Sequence, residues 1–218
     1  NAYAPFRQDA SFLYYFAQHR DGLVGVIDID NDKEYLFGND IDIEDIVWFG
    51  SVDSVADLAL QAGIKTTAPM DQLKALVDKA KAKGQTIHFL PPYRFDTQIQ
   101  IMDLLGIHPS KQKAIASLQL IHAVVAMRST KTAEEIQLID NACDVGYLMH
   151  TTAMKNCRPG VFENYVAGQV DGIARSYAQG NSFATICSQH GEIMHGAPKN
   201  VPLESGRLLL CDAGCELD

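Results

Sequence analysis

The chain has 218 residues, of which 47% are hydrophobic and 21% charged, and its formal net charge is -9. This composition is typical of a soluble globular protein with one large domain or two ordinary ones. The negative charge makes nucleic acid and anionic membrane surfaces poor partners. No apolar run approaches the roughly 20 residues that a membrane helix needs.

The cysteines indicate a reducing compartment. There are five, an odd number, and no two form a C-x-x-C pair. We expect reduced thiols that act as small buried residues in a cytoplasmic protein. Cys211 and Cys215 bracket Asp212 like a zinc pair, but no second Cys/His pair with zinc-site spacing accompanies them.

Residues 1–126 predict an α/β domain with a mixed sheet flanked by helices. The runs "DGLVGVIDID" and "NDKEYLFG" indicate a hairpin around an Asn-Asp turn. The run "TIHFLPP" indicates a short buried strand ended by prolines. Apolar residues at helical spacing predict helices over 53–63, 70–83 and 97–105.

The hairpin turn opens like a calcium loop, with Asp28, Asp30 and Asp32 at the required offsets. Lys33 stands where the loop needs glycine, and Asn39 stands where it needs a bidentate glutamate. The pattern therefore predicts a solvated turn and not a calcium site.

A second domain is predicted over 127–218. Thr132 and Glu135 form a capping-box signature for a helix that continues to about Asn156. The tripeptide "RPG" interrupts the chain before a second helix, over 161–179. The segments "SFATICS", "EIMHG" and "RLLLCDAG" then predict strands.

One constellation in this second domain could carry chemistry. His190 and His195 lie in "SQHGEIMHG", and the turn-forming run "APKNVPLESG" could return the chain so that His195 and Asp212 lie on neighbouring antiparallel strands. A carboxylate at the tip of an apolar strand is costly to bury unless a cation meets it. From spacing alone, a metal ligand and a plain strand-end aspartate both remain open.

Five motifs in order make the sequence resemble a known family. They are "PFRQDASFLYYF", "MRSTKTAEEI", "RPGVFE", "HGEIMHG" and "LLLCDAGCE". Together they resemble the prolidase / aminopeptidase P family of Xaa-Pro-cleaving, pita-bread metallopeptidases. The resemblance covers essentially the whole chain. It implies a creatinase/prolidase-like N-terminal domain over 1–126, followed by the first part of an α+β pita-bread catalytic domain over 127–218.

The resemblance implies roles for three residues. Asp212 matches the first metal-binding carboxylate and would be a ligand to one of two divalent ions, usually manganese. His195 matches the active-site histidine, which binds substrate and stabilises the tetrahedral intermediate or relays a proton. His190 falls where relatives carry varied polar residues and is a second candidate for substrate binding. Two such ions, about 3.5 Å apart, activate water at neutral pH.

The implied activity is that of an Xaa-Pro aminopeptidase acting on proline-containing peptides, and the implied assembly is a homo-oligomer, a dimer. The segment "DAGCE" favours the aminopeptidase over the nearest alternative, an Xaa-Pro dipeptidase. A non-catalytic peptide- or protein-binding relative and a metal-independent creatinase-like hydrolase are further alternatives. Asp212 argues against both, since a fold without metal does not need that carboxylate.

The family's other four metal ligands are a second aspartate shortly after the first, and then a histidine and two glutamates. All four would fall beyond Asp218. We therefore expect the chain to be a fragment of the enzyme and to be inactive by itself.

Overall fold

The computed structural model describes residues 6–217, so Pro5, which begins the first of the five motifs, and Asp218 lie outside the described residues. The chain divides into two compact units, Asn1–Arg128 and Ser129–Asp218. None of the helices within residues 6–217 combines the length and apolarity needed to cross a membrane.

The first unit is a small mixed sheet with helices. Its elements, in chain order, are α1 (Ala10–Phe16), β1 (Val24–Asp28), β2 (Lys33–Phe37), α2 (Ile43–Phe49), α3 (Val55–Gln61), β3 (Thr66–Ala68), a 3₁₀ turn (Met70–Gln72), α4 (Leu73–Ala82), α5 (Phe95–Leu105), α6 (Pro109–Ile115) and α7 (Leu118–Ser129). The helices predicted over 53–63, 70–83 and 97–105 correspond to α3, the 3₁₀ turn with α4, and α5. The predicted α/β class is confirmed.

The sheet has the order β1-β2-β3, with β1 antiparallel and β3 parallel to β2. The predicted hairpin and the mixed sheet are thus both present. At the hairpin turn, the carboxylate of Asp28 accepts hydrogen bonds from the backbone and side-chain amides of Asn31, at 3.2 and 2.7 Å. This aspartate therefore stabilises the turn itself.

The core of this unit lies on the two faces of β2. Leu36 packs with α1 and α3, whereas its neighbour Phe37 packs with α4. Successive strand residues point to opposite faces, which is why both are buried. Gly25 on β1 allows close packing, because a Cβ there would lie 2.2 Å from the ring of Phe16.

The strand predicted from "TIHFLPP" is wrong. The described residues 85–92 have no strand ladder. Ile87 still packs against the cluster around Phe37, and the carbonyl of Phe89 accepts a hydrogen bond from the amide of Ser117 at 3.1 Å. The residues of this run are half-buried or exposed, and an apolar run by itself cannot supply the neighbouring strand that a ladder needs.

The second unit consists of two helices followed by short strands. Its elements are α8 (Ala133–Asn156), α9 (Glu163–Tyr177), β4 (Gly180–Asn181), β5 (Ile186–Ser188), β6 (Leu210–Asp212) and β7 (Cys215–Glu216). Its core contains Met149 from α8 with Val166, Val170 and Ala174 from α9, all completely buried. These α9 positions recur at intervals of four, as a helix with one buried face requires.

The strands pair in two small sheets. β5 is antiparallel to β6, with Ile186 opposite Asp212, and β4 is antiparallel to β7. The prediction of a strand at "EIMHG" is wrong, and so is the pairing of His195 with Asp212 on neighbouring strands. Residues 191–195 form turns, since the amide of Ile193 bonds the carbonyl of His190 and the amide of Gly196 bonds that of Ile193.

The start of α8 has the predicted capping box. The hydroxyl of Thr132 accepts a hydrogen bond from the amide of Glu135 at 3.2 Å, and the Glu135 carboxylate accepts one from the amide of Thr132 at 2.8 Å. Both donors belong to a helix terminus, where the backbone has no intrahelical partner.

We expect Thr132→Ala to lower the free energy of unfolding by about 1 kcal/mol, because it removes the cap. Thr132→Ser keeps the hydroxyl and is the matched control, with a change of a few tenths of that value. Urea unfolding followed by circular dichroism measures both. Equal stability of Thr132→Ala and the wild type would show that the cap contributes nothing.

Candidate functional site

A pocket in the second unit brings together two of the three predicted site residues. It has a volume of about 550 Å³ and is lined by Phe183, Ala184, Thr185, Ile186, His195, Ala197 and Asp212. His195 and Asp212 are both exposed within it. Although these residues are not on paired strands, the pocket holds an imidazole and a carboxylate on one surface.

Asp212 is positioned by the end of β6. It is the last residue of that strand, opposite Ile186 of β5, and the next residue, Ala213, is buried in the core. A Cβ at Gly214 would lie 2.6 Å from the hydroxyl of Ser182, so glycine permits the close approach that follows. The strand end therefore holds the exposed carboxylate in place, because a buried residue and a closely packed glycine follow it directly.

A histidine from α8 also holds this strand end. Nε2 of His150 lies 3.1 Å from the carbonyl oxygen of Ala213, so its N–H donates to the residue directly after Asp212. His150 is half-buried. In the sequence, His150 has no partner at the spacing of a metal ligand. In the structure it supports the strand end and does not line the pocket.

The opposite wall of the pocket is held by Asp171 on α9. Its Oδ1 accepts hydrogen bonds from the hydroxyl of Thr185 and the side-chain amide of Asn181, each at 2.6 Å. Thr185 lines the pocket, so Asp171 fixes the backbone that leads into β5. Asp171 lies in the middle of α9 with no motif around it, so the sequence carries no signal for its role.

His195 lies on the loop that follows β5. This loop spans residues 189–199, and we call it the histidine loop. The residue after His195, Gly196, lies close to Ser188, since a Cβ on Gly196 would be 3.3 Å from the Cβ of Ser188. The imidazole is therefore presented from a tight turn that is packed on the end of a strand.

His190 is not among the residues that line the pocket. Its Nδ1 lies 2.9 Å from Oε1 of Glu192, and both side chains are exposed to solvent. The pKa of Glu192 is held below its ordinary value, first by its own backbone N–H and then by His190. An exposed pair of this kind contributes little to stability.

Glu163, which sequence reasoning did not single out as functional, supports the histidine loop from below. It is the first residue of α9 and is fully buried. Its carboxylate accepts hydrogen bonds from the hydroxyl of Ser188 and from the amides of Gln189 and Lys199. The glutamate ends the motif "RPGVFE", but the sequence does not show that it is buried, because burial depends on residues distant in the chain.

The donor chemistry around Asp212 fits one ligand of a hard divalent ion. A carboxylate oxygen is the donor such ions prefer, and it is exposed on a pocket wall. Within residues 6–217, the His, Cys, Asp and Glu side chains form no group of three or more that could hold a metal ion.

All five cysteines are free thiols, but the expectation that they are small buried residues is wrong for Cys143 and Cys157, which are exposed. Cys187 and Cys211 are direct partners across β5 and β6, and a hydrogen bond with Cys211 together with burial raises the pKa of the Cys187 thiol. Cys211 lies on β6 and Cys215 on β7, and these strands belong to different sheets.

Comparison with known proteins identifies the class. The family model of the aminopeptidase P N-terminal domain matches residues 1–88, and that of metallopeptidase family M24 matches residues 137–218. These two matches confirm the resemblance to the prolidase / aminopeptidase P family. The residues that line the pocket all lie within the part of the chain that matches the family M24 model.

Individual proteins of the aminopeptidase P type match nearly the whole of this chain. The chain is 26% identical to the Xaa-Pro aminopeptidase of Escherichia coli K12, over 97% of this chain and 51% of that protein. Its structure resembles Pseudomonas aeruginosa aminopeptidase PepP (TM-score 0.79, 24% identity, 97% and 50% covered). It also resembles zinc-substituted E. coli aminopeptidase P in complex with product (TM-score 0.77, 23% identity, 98% and 51% covered). The chain spans about half the length of these relatives.

Asp171→Ala is expected to lower the free energy of unfolding by about 1–3 kcal/mol, because Thr185 and Asn181 lose a shared charged acceptor. Asp171→Asn keeps an acceptor oxygen at the same place and is the matched control, with a smaller loss. Urea unfolding measures both variants: their unfolding midpoints are compared with the same dependence of the free energy of unfolding on urea concentration. If Asp171→Ala were no less stable than Asp171→Asn, the hydrogen bonds to Oδ1 would not hold the pocket wall.

Proposed function

We propose that residues 1–218 belong to a metal-dependent Xaa-Pro aminopeptidase, which removes the N-terminal residue before proline from peptides. The observation that carries the proposal is the pocket, where Asp212 and His195 share one surface within the family M24 segment. In this proposal, residues 1–126 form the N-terminal domain and residues 127–218 the first part of the catalytic domain.

Asp212 is the residue of this pocket that would hold a metal ion. When bound, a pair of divalent ions supplies Lewis acidity and activates water. Strand ends hold carboxylates rigidly, and Asp212 has such a position, with a buried residue and a close-packed glycine directly after it. The ions are proposed to be manganese, in keeping with an oxygen ligand.

His195 would act on the substrate and not on the metal. From the pocket wall it can donate a hydrogen bond to the oxygen of a tetrahedral intermediate or relay a proton to the departing amine. His190 lies outside the lining residues, beside Glu192, and would contact only the outer part of a peptide.

Removal of a single residue is favoured over dipeptidase activity because the relatives carry the name Xaa-Pro aminopeptidase.

A cytoplasmic location is part of the proposal and is supported by the free thiols. A homodimer, which the family resemblance implies, is also part of it. Sedimentation velocity tests the dimer, and a comparison of Gly-Pro with Xaa-Pro-Yaa peptides tests the specificity.

In a protein that continues this chain with the remaining ligands, His195→Ala is expected to lower kcat by about 10²-fold or more, because the variant loses a group that acts in the transition state. Metal content should stay near that of the wild type. Turnover of an Xaa-Pro-Yaa peptide and elemental analysis provide the two measurements.

Two comparison variants sharpen this test. Asp212→Ala should lose metal together with activity, whereas His190→Ala should raise KM modestly and leave kcat nearly unchanged. Metal loss in His195→Ala would make that histidine a ligand and would contradict the assignment.

The chain of residues 1–218 is expected not to hydrolyse Xaa-Pro peptides, even with excess manganese. Asp212 supplies one ligand, and tight sites need several preorganised oxygens. An assay with an Xaa-Pro-Yaa peptide, with Asp212→Ala as the blank for contaminating peptidase, measures this. Sustained hydrolysis that Asp212→Ala abolishes would mean that the chain holds a working site by itself.

A further inference from the structure

The Glu163 carboxylate joins the two ends of the histidine loop. Oε1 accepts the amide of Gln189 at 2.8 Å and the hydroxyl of Ser188 at 3.2 Å. Oε2 accepts the amide of Lys199 at 3.0 Å. The two oxygens of one side chain therefore bind the first and the last residue of a loop that carries His195 between them.

Further hydrogen bonds extend this closure toward the histidines. While the hydroxyl of Ser188 donates to Glu163, its oxygen accepts the amide of His190 at 3.1 Å. Gly196, the neighbour of His195, lies close enough that an added Cβ would be 3.3 Å from the Cβ of Ser188. The turn that presents His195 is thus supported by a residue that Glu163 holds.

A carboxylate suits this position better than a neutral amide. All three partners are hydrogen-bond donors, and an ionised carboxylate is the side chain that only accepts. Glu163 is also the first residue of a 15-residue helix, whose positive end favours a negative charge. Both features account for a fully buried acid whose three partners are neutral groups.

We propose that Glu163 is a positioning residue that closes the histidine loop at its base and so holds His195 in the pocket. The catalytic importance of that position rests on the proposed function, but closure of the loop does not. The two parts can therefore fail separately.

Glu163→Gln tests the closure in the 218-residue chain. A glutamine amide offers one acceptor oxygen and places N–H donors where the second oxygen was, so one end of the loop loses its partner. Val170→Ala is the matched control, since it creates a cavity in the core of the same helix and leaves Glu163 unchanged. The two variants are compared at equal global stability, set with urea.

The first measurement is hydrogen exchange by mass spectrometry over residues 189–199. Glu163→Gln should accelerate exchange of the loop about tenfold or more relative to Val170→Ala. Equal exchange in the two variants would overturn the proposal. If Glu163→Gln does not fold, Ser188→Ala removes one of the three donors and is judged by the same comparison.

The second measurement is the NMR resonance of the His195 ring in the 218-residue chain labelled with ¹³C-histidine. The resonance is assigned by its absence from the spectrum of His195→Gln. The resonance should shift or broaden in Glu163→Gln and stay in place in Val170→Ala, with His88 and His122 of the first unit unchanged in both. An unmoved His195 resonance would overturn the positioning role.

An activity measurement separates the two proposals. In a protein with the remaining ligands, Glu163→Gln should lower kcat about tenfold or more and change KM little, because a displaced His195 acts poorly in the transition state. If the loop opens and the His195 resonance moves while kcat is unchanged, positioning by Glu163 is supported. The catalytic role of His195 is then overturned.

Discussion

The antiparallel pairing of β5 with β6 is the constraint on which the pocket depends. Because Ile186 lies opposite Asp212, the residues that lead into β5 become one wall and the carboxylate at the end of β6 becomes another. Asp171 holds the first wall through Thr185, and His150 holds the strand end through the carbonyl of Ala213. Side chains from α8 and α9 therefore fix the residues at the ends of these two short strands.

The candidate site residues lie on the outside of the second unit, and residues that support its backbone lie inside. His195 and Asp212 are exposed, whereas Glu163 and Val170 beneath them are completely buried. A buried carboxylate must have its hydrogen bonds satisfied or it destabilises the fold. Glu163 meets this requirement through three hydrogen bonds, from the hydroxyl of Ser188 and the amides of Gln189 and Lys199.

The motifs that carry the family resemblance also have local structural reasons. In "DAG", Gly214 permits a close approach to Ser182, and in "MHG", Gly196 packs against Ser188. In "RPGVFE", the glutamate is the buried anchor of the histidine loop. Motif residues beside these candidate site residues therefore fix the local backbone.

The sequence by itself determined the hairpin, the capping box at Thr132 and five of the helices, α3, α4, α5, α8 and α9, because these depend on local periodicity and on neighbours in the chain. It also predicted that His195 and Asp212 share one site, and both line the same pocket, whereas their chemical roles stay predictions. It failed at "TIHFLPP" and "EIMHG", where apolar residues that resemble strands have no strand partner. Leu208, in a run predicted as strand, is 91% exposed and lies outside β6.

Only the tertiary structure decided that Asp212 pairs with Ile186, that His195 reaches the pocket from a turn, and that Glu163 and Asp171 hold the walls. These contacts join residues far apart in the chain. The register of a strand and the burial of an acid are set by whichever distant donors and apolar faces arrive beside them. Local sequence does not contain that information.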